Sequence, residues 1–376
     1  MSVAAFSEAR ETKRMAPEKL KYSKNAVQKA GKDLLRKKLI RNDPQRFKEC
    51  MEILSNWRAC HISALNEVTR QLDQHSKSED RNSIVVARLK RTPSVITKLQ
   101  RNPKMNLDRM QDIAGCRSIV KNPKAVEKIK KKLKKSYELR EKDYISNPKS
   151  DGYRGIHLIG KHKNSEDGNE YQVEIQLRTQ LQHAWATAVE IVDLFTNQTL
   201  KSNIGKKTWK DFFLHASNQF AKLERKNHDK NANSESELSR LVNQLNIYKK
   251  FDAFRISLKY IEQATPKKQH AYALIKIDTK ETRGSVKFFM ESKFLEATEN
   301  YLEGEKDSAK NENLVVALVN VASIDNLKDA YPNYFADSSH FIENLRRVVI
   351  RKPNWITRKL MKWLDSTGLV ERPKNN

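Results

Sequence analysis

Two stretches decide how this chain is read: Asp151-Gly152-Tyr153-Arg154-Gly155-Ile156-His157 and Val173-Glu174-Ile175-Gln176-Leu177-Arg178-Thr179. The second alternates. Successive side chains of a strand point to opposite faces, so Val173, Ile175 and Leu177 share one face while Glu174, Gln176 and Arg178 share the other. The apolar face packs on helices; the polar face meets solvent or a ligand. Any half-exposed sheet gives such a row, so this strand alone does not decide. The first stretch adds to it. Residues 147–153 are turn-forming and end in Tyr153, an aromatic able to stack on a purine, flanked by Lys149 and Arg154. His157 falls on the next strand, where a hydrogen-bonded sheet histidine is the plain alternative. A carboxylate on a rigid strand, arginines and an exposed aromatic form the set that polyphosphate chemistry uses.

The pattern extends outward from these two stretches. Residues 113–120 read as a strand, and Pro123 opens a helix with the stripe Val126, Ile129 and Leu133. Residues 137–144 and 155–160 read as strands, separated by a polar loop over 146–152. Glu166-Asp167-Gly168-Asn169 is a hairpin turn leading into a strand over 170–178. Thr179 then caps a helix, with Gln182 as its capping-box partner, and that helix buries Leu181, Ala184, Trp185, Ala188, Val192 and Phe195. Upstream, residues 1–20 form an arm, a basic helical stretch runs to about Ile40, and residues 44–75 form one long amphipathic helix. A strand over 84–89 leads into Lys90 and Arg91, and Pro93 opens a helix ending near Arg101. Downstream, 206–262 is helical with a polar interruption at 228–237. Strands follow at 270–278, 284–290 and 314–323, a helix at 291–303, a loop at 304–313, and helices at 335–348 and 355–364. The expected fold is α+β: a mixed β-sheet flanked by helices, followed by a smaller C-terminal α+β domain. The divisions are 1–75, a basic helical region; 76–200, the core; 201–265, a helical connector; and 266–376, the C-terminal domain.

Of 376 residues, 38 % are hydrophobic and 32 % charged, which suits a globular chain with a charged surface and not a disordered one. The net charge is +27 and is spread along the whole length. A field of that sign attracts polyanions, and charge alone does not choose among nucleotides, RNA and DNA. Cys50, Cys60 and Cys116 have neither metal spacing nor a disulfide framework. No apolar signal core and no run of membrane-spanning length occurs, so a cytoplasmic location and no membrane partner are expected.

Two further groups carry charge toward the same region. Arg88, Lys90 and Lys98 suit a triphosphate, although a solvated surface suits each singly. Asp112 and Arg117 lie five apart, on opposite faces of an ideal strand. Either Gly115 permits a bulge or Asp112 sits in the loop before the strand.

Taken in order, Arg88-x-Lys90, Asp112-x-x-Gly115-x-Arg117, Lys149-x-Asp151-Gly152-Tyr153-Arg154-x-x-His157, Glu174-Ile175-Gln176-x-Arg178-Thr179 and His183-x-Trp185-Ala186 resemble the synthetase domain of the RelA/SpoT family, over residues 80–200. The resemblance implies a nucleotidyltransferase-like synthetase fold and a Mg²⁺-dependent transfer of the β,γ-pyrophosphate of ATP to a ribose 3′-hydroxyl, with AMP released. By position it implies that Arg88, Lys90, Lys98 and Arg117 bind ATP. Asp112 and Glu174 hold Mg²⁺, and Glu174 favours deprotonation of the attacking hydroxyl. Tyr153 stacks on the acceptor base, His157 orients its phosphate or ribose, and Lys149 and Arg154 complete the acceptor site. Trp185 fits the apolar stripe of its helix and is read as core.

One branch of the family uses GDP or GTP; a toxic branch modifies the 3′ CCA end of tRNA. The +27 charge and the basic helix around 128–135 favour the tRNA end. No His-Asp pair occurs before residue 100, where the histidines are His61 and His75, so no hydrolase module is expected. The whole layout resembles the CapRel-type fused toxin–antitoxin proteins. That implies a C-terminal domain holding the synthetase inactive until a phage protein, typically a capsid protein, binds. Tyr331, Tyr334 and Trp355 are candidates for blocking the site, although anchoring C-terminal helices is the favoured reading for each taken singly. The C-terminal region has no cysteine, so any zinc-finger-like module there would be metal-free. The alternatives are a GDP/GTP pyrophosphokinase making alarmones, and a catalytically inactive RNA- or nucleotide-binding module. No DNA partner is expected.

Overall fold

The alternation over 170–178 becomes β5 (Glu170–Thr179), the central strand of a five-stranded sheet in a computed structural model of the chain. The structure describes residues 17–36, 39–196, 200, 205–225, 232–264, 270–278, 280–281, 283–311, 313–321 and 334–349. The sheet order is β1-β2-β5-β4-β3, with β1 (Ile84–Leu89), β2 (Ala114–Val120), β3 (Arg140–Asp143) and β4 (Ile156–Lys163). Only β2 and β5 pair in parallel; the other neighbours are antiparallel, so the sheet is mixed. Tyr171, Val173, Ile175 and Leu177 are buried, while Gln172, Glu174 and Gln176 between them are half-buried.

Among the described residues, six helices flank the sheet on its apolar side, with Ile62–Glu79 and Pro123–Ser136 lying directly on its strands. They are α1 (Lys24–Asp33), α2 (Leu39–Asn42), α3 (Pro44–Ala59), α4 (Ile62–Glu79), α5 (Thr92–Arg101) and α6 (Pro123–Ser136). Leu54, Leu65, Val68 and Leu72 join Ile129, Leu133, Val173 and Ile175 in one core. A second core begins on α7 (Gln180–Thr196) and runs through α8 (Lys207–Arg225), α9 (Ala232–Gln244) and α10 (Ile247–Ala264). It continues into a three-stranded antiparallel sheet of order β7-β6-β8, made of β6 (His270–Asp278), β7 (Arg283–Met290) and β8 (Leu314–Asn320). Helix α11 (Phe294–Lys310) packs on that sheet, and α12 (Tyr334–Val349) brings Phe341 and Leu345 back into the same core.

The structure departs from the sequence pattern in three instructive places. The long helix expected over 44–75 is two helices broken at Cys60 and His61. There the His61 imidazole bonds the Trp57 carbonyl at 2.7 Å and Asn164 Nδ2 donates to the Cys60 carbonyl at 3.0 Å. Side chains thus take acceptors that a continuing helix would use. Gly304 does not end its helix: α11 continues to Lys310, and a Cβ at Gly304 would approach Val316 Cγ1 to 2.9 Å. The glycine serves close helix–sheet packing. Finally, β3 is shorter than 137–144, because Tyr137 ends α6, donating its backbone N–H to the Leu133 carbonyl.

Asn164 ties three segments together. It is buried, donates to the Cys60 and Glu18 carbonyls, and accepts from the Glu166 N–H at 2.7 Å. Asn164→Ala leaves those groups without this partner and should lower unfolding stability by about 2–4 kcal/mol. Urea denaturation checks this; a loss under about 1 kcal/mol would contradict the assigned role.

Candidate active site

Register places the polar residues side by side. Arg88 on β1, Gly115 on β2 and Glu174 on β5 lie in one row across the sheet; Val86, Arg117, Gln176 and His157 lie in the next. Cross-strand partners share a face, so one surface carries Arg88, Arg117, Gln176, Glu174 and His157. Gly115 sits between Arg88 and Glu174 without a side chain and leaves a hollow of about 70 Å³ lined by Arg88, Lys90, Asp112, Arg117, Glu174 and Gln176. Asp112 is not on the strand: β2 starts at Ala114, and its pairing with β5 is unbroken from Ala114. The loop position, and no bulge, resolves the parity of Asp112 and Arg117.

Five side chains close a hydrogen-bonded circuit. Arg178 Nε and Nη2 donate to the Tyr153 hydroxyl at 3.2 and 3.0 Å. That oxygen has one proton to give, and it goes to His157 Nε2 at 2.6 Å. The neutral imidazole therefore carries its proton on Nδ1, which donates to Glu174 Oε1 at 2.9 Å. Gln176 Nε2 donates to Glu174 Oε2 at 2.8 Å, and Gln176 Oε1 accepts from Arg178 at 3.2 Å and from Arg117 at 3.3 Å. Burial works against ionisation of Glu174, but hydrogen bonds from His157 and Gln176 outweigh it and hold the carboxyl well below the usual range. Burial lowers His157 from its ordinary value, against the pull of Glu174, so the ring is neutral near pH 7.

The other carboxylate is held by ammonium groups. Lys98 Nζ lies 2.7 Å from Asp112 Oδ1 and Lys90 Nζ 3.0 Å from Oδ2. Burial opposes the charge on Asp112; the two lysines more than offset it and lower the carboxyl. The Lys98 charge also helps to lower Glu174. The oxygen chemistry of the two acids fits Mg²⁺, which binds through one or two carboxylates plus phosphate oxygens.

A larger cavity of about 250 Å³ adjoins this hollow. Arg88, Arg117, Lys149, Arg178 and Lys210 line it with positive charge, and Trp185, Val189 and Phe213 give it an apolar wall. Tyr153, His157 and Asp151 line it too. The Tyr153 ring has the Lys149 ammonium 4.9 Å and the Arg178 guanidinium 5.0 Å from its centroid. The structure thus gathers Arg88, Lys90, Lys98, Asp112, Arg117, Lys149, Tyr153, His157 and Glu174 around two adjoining hollows. Arg154 is placed elsewhere: its guanidinium bonds Ser217, Asn218 and the Ile145 carbonyl. Trp185 is buried, as the stripe implies, yet also forms cavity wall, and its indole N–H donates to the Phe213 carbonyl at 2.8 Å. Gln176, Arg178 and Lys210 had no assigned role. Strand parity with Glu174 was the available signal for Gln176 and Arg178; Lys210 comes from a distant helix and had none. Tyr331 and Trp355 lie outside the described residues; Tyr334 opens α12, and its side chain lies outside them too.

Helix α12 reaches this region from the side. Asp337 of α12 bonds His183 Nε2 on α7 at 3.1 Å and accepts from Thr187 at 3.4 Å. His183 is buried, which pushes it down to about 4 despite the opposing pull of Asp337. His183 is therefore neutral near pH 7 and meets Asp337 as a neutral ring.

Residues 87–192 match the family model described as a region found in RelA / SpoT proteins. The chain is 31 % identical over 142 residues to the GTP pyrophosphokinase YjbM of Bacillus subtilis (strain 168), covering 36 % of this chain and 64 % of that protein. It is 35 % identical over 111 residues to the GTP pyrophosphokinase YwaC of the same organism, covering 27 % of this chain and 53 % of that one. In both cases less than two thirds of the relative is spanned. Among solved structures, small alarmone synthetase 1 of Bacillus subtilis bound to its product pppGpp overlaps 45 % of this chain and 93 % of its own, at 23 % identity and a TM-score of 0.39. Small alarmone synthetase 2 of the same organism overlaps 46 % and 94 %, at 26 % identity and a TM-score of 0.40. The segment similar to the RelA/SpoT region contains every residue of the hydrogen-bonded circuit and both carboxylates.

Burial lowers His61, His162 and His183 to about 4, against an ordinary value of 6.5. The unfolded chain takes up these protons below 6.5, the folded chain only near 4. Stability is then complete above that window and falls as pH drops through it. Urea titrations from pH 7.5 to 4.5 should show this decline, with a shallower slope for His183→Gln. A pH-independent midpoint would contradict the assignment.

Proposed function

We propose that the chain is an ATP pyrophosphokinase that transfers the β,γ-pyrophosphate of ATP to a ribose 3′-hydroxyl. The observation that carries this is one sheet surface with two carboxylates and a cluster of cations, opening onto an aromatic-lined cavity. Arg88, Lys90, Lys98 and Arg117 take the triphosphate. As phosphate oxygens enter, Lys90 and Lys98 exchange Asp112 for them. Asp112 and Glu174 would then hold Mg²⁺, which supplies charge neutralisation across the phosphates when bound. The acceptor base enters the cavity beside Tyr153. Its 3′-oxygen attacks the β-phosphorus, the new O–P bond forms, the bond to the α-phosphate oxygen breaks, and AMP leaves. The Glu174 carboxylate, held ionised by Nδ1–H of neutral His157, favours loss of the hydroxyl proton through its charge. Positioning and fixed charge supply most of the rate in such transfers.

The acceptor we propose is the 3′ end of tRNA, supported by the +27 net charge. The lysines of α6 add little to that support. Lys128 and Lys132 pair with Glu79, and Lys130 and Lys134 with Glu141. A guanosine nucleotide is the second reading, favoured by similarity to the two Bacillus GTP pyrophosphokinases. We also propose that the C-terminal part restrains the synthetase until a phage protein, of capsid type, binds. The contact supporting restraint is Asp337 on His183, because α7 continues directly from the strand carrying Glu174.

Incubation with γ-labelled ATP, Mg²⁺ and either GDP, GTP or deacylated tRNA separates the acceptors by where label appears. Label on none, in an intact protein, would leave only a binding module. Glu174→Gln and Asp112→Asn should each slow transfer by about a hundredfold or more, and chelation of the divalent cation should stop it; near wild-type transfer by both variants would sink the mechanism. Asp337→Ala should raise basal transfer, and an unchanged rate would count against C-terminal restraint.

A further inference from the structure

The loop that carries Lys149 and Tyr153 is not held by the sheet alone. Within the loop, the Asp151 carboxylate accepts from the Tyr153 N–H at 2.8 Å and the Lys149 carbonyl from the Gly152 N–H at 2.9 Å. Its outer side lies on α8, which follows the matched segment. Ser217 Oγ donates to the Gly152 carbonyl at 2.5 Å and accepts from Arg154 Nε at 3.0 Å. Asn218 Oδ1 accepts from Arg154 Nη2 at 3.1 Å, and Arg154 Nη1 reaches back to the Ile145 carbonyl at 3.2 Å. One guanidinium therefore bonds the start of the loop and the helix, and one hydroxyl bonds the loop's Gly152.

The backbone makes the same point independently. Gly152 has φ of +92°, a region other residues avoid, and a Cβ there would lie 3.1 Å from both Leu214 Cα and Ser217 Cβ. The loop approaches α8 as closely as a glycine allows. One turn earlier the same helix places Phe213 in the cavity wall. Helix α8 thus contributes a wall to the cavity and a mount for the loop that carries Tyr153 into it.

We propose that Ser217 and Asn218, acting through Arg154 and Gly152, are positioning residues for the acceptor side of the site. None of the three side chains lines the two hollows, so they act on the acceptor by fixing where Lys149 and Tyr153 stand. On the donor side, Asp112 is held by Lys90 and Lys98 and not by this mount. The consequence is a specific asymmetry: loosening α8 weakens acceptor capture and leaves ATP capture intact. The inference rests on the acceptor site proposed above.

Ser217→Ala and, at a half-buried position that disturbs packing less, Asn218→Ala test this in the full-length protein. For Ser217→Ala we expect the KM for the acceptor that wild type uses, GDP, GTP or deacylated tRNA, to rise about tenfold, with a smaller rise for Asn218→Ala. We expect the Kd for the non-hydrolysable analogue AMPCPP to stay within about twofold of wild type. Amide hydrogen exchange over residues 146–153 should accelerate in both variants while β5 stays protected. Unchanged acceptor KM and unchanged loop exchange in folded variants would overturn the proposal. A parallel loss of AMPCPP affinity would also overturn it, because it marks a general packing defect. If wild type transfers label to no acceptor, the pyrophosphokinase reading fails on its own. The exchange measurement then still decides whether α8 holds the loop.

Discussion

A carboxylate on the half-buried face of a sheet is costly unless both its oxygens are hydrogen-bonded, and the site depends on how Glu174 meets that demand. His157 satisfies one oxygen and Gln176 the other. Each helper is fixed in turn: His157 by Tyr153, Gln176 by Arg117 and Arg178, and Tyr153 by Arg178. The circuit closes on itself, so the tautomer of His157 and the orientation of Gln176 follow from donors that have no choice. Rigid strands supply most members, and Tyr153 alone comes from a loop. That single exception is why the support beneath the loop matters.

Asp112 meets the same demand differently. It takes two ammonium groups instead of neutral donors. An ammonium is a mobile point charge on a long stem, whereas the Glu174 partners are short and interlocked. One acid is thus held by a fixed frame and the other by partners that phosphate oxygens can draw away. The contrast suits a site where a charged ligand enters on the lysine side.

Much of this was legible in the sequence. The alternation of β5 gave the faces of Glu174 and Val173 correctly because strand parity is strictly local. Arg88, Lys90, Asp112, Arg117, Tyr153 and His157 were readable as a set, since their order along the chain matches a known pattern. The position of Arg154 was not readable. Its neighbours Lys149 and Tyr153 line the cavity, but one residue's difference at a turn sends its side chain to α8, more than sixty residues on. The break at Cys60 and His61 was hidden for a similar reason. Helical periodicity runs through it, and the groups that stop the helix include Asn164 from a distant turn.

The amino-acid sequence by itself determined the strands of the five-stranded sheet to within a few residues, which face of β5 is polar, and which cations and carboxylates the site has to draw on. Those properties depend on near neighbours, through side-chain alternation and helical spacing. Only the tertiary structure decided that Asp112 stands in a loop lining the same hollow as Glu174, that α8 holds the loop bearing Tyr153, and that Asp337 meets His183. Each of these joins groups far apart in the chain, and their meeting is set by strand register and by one continuous core from Leu181 to Leu345, not by local preference.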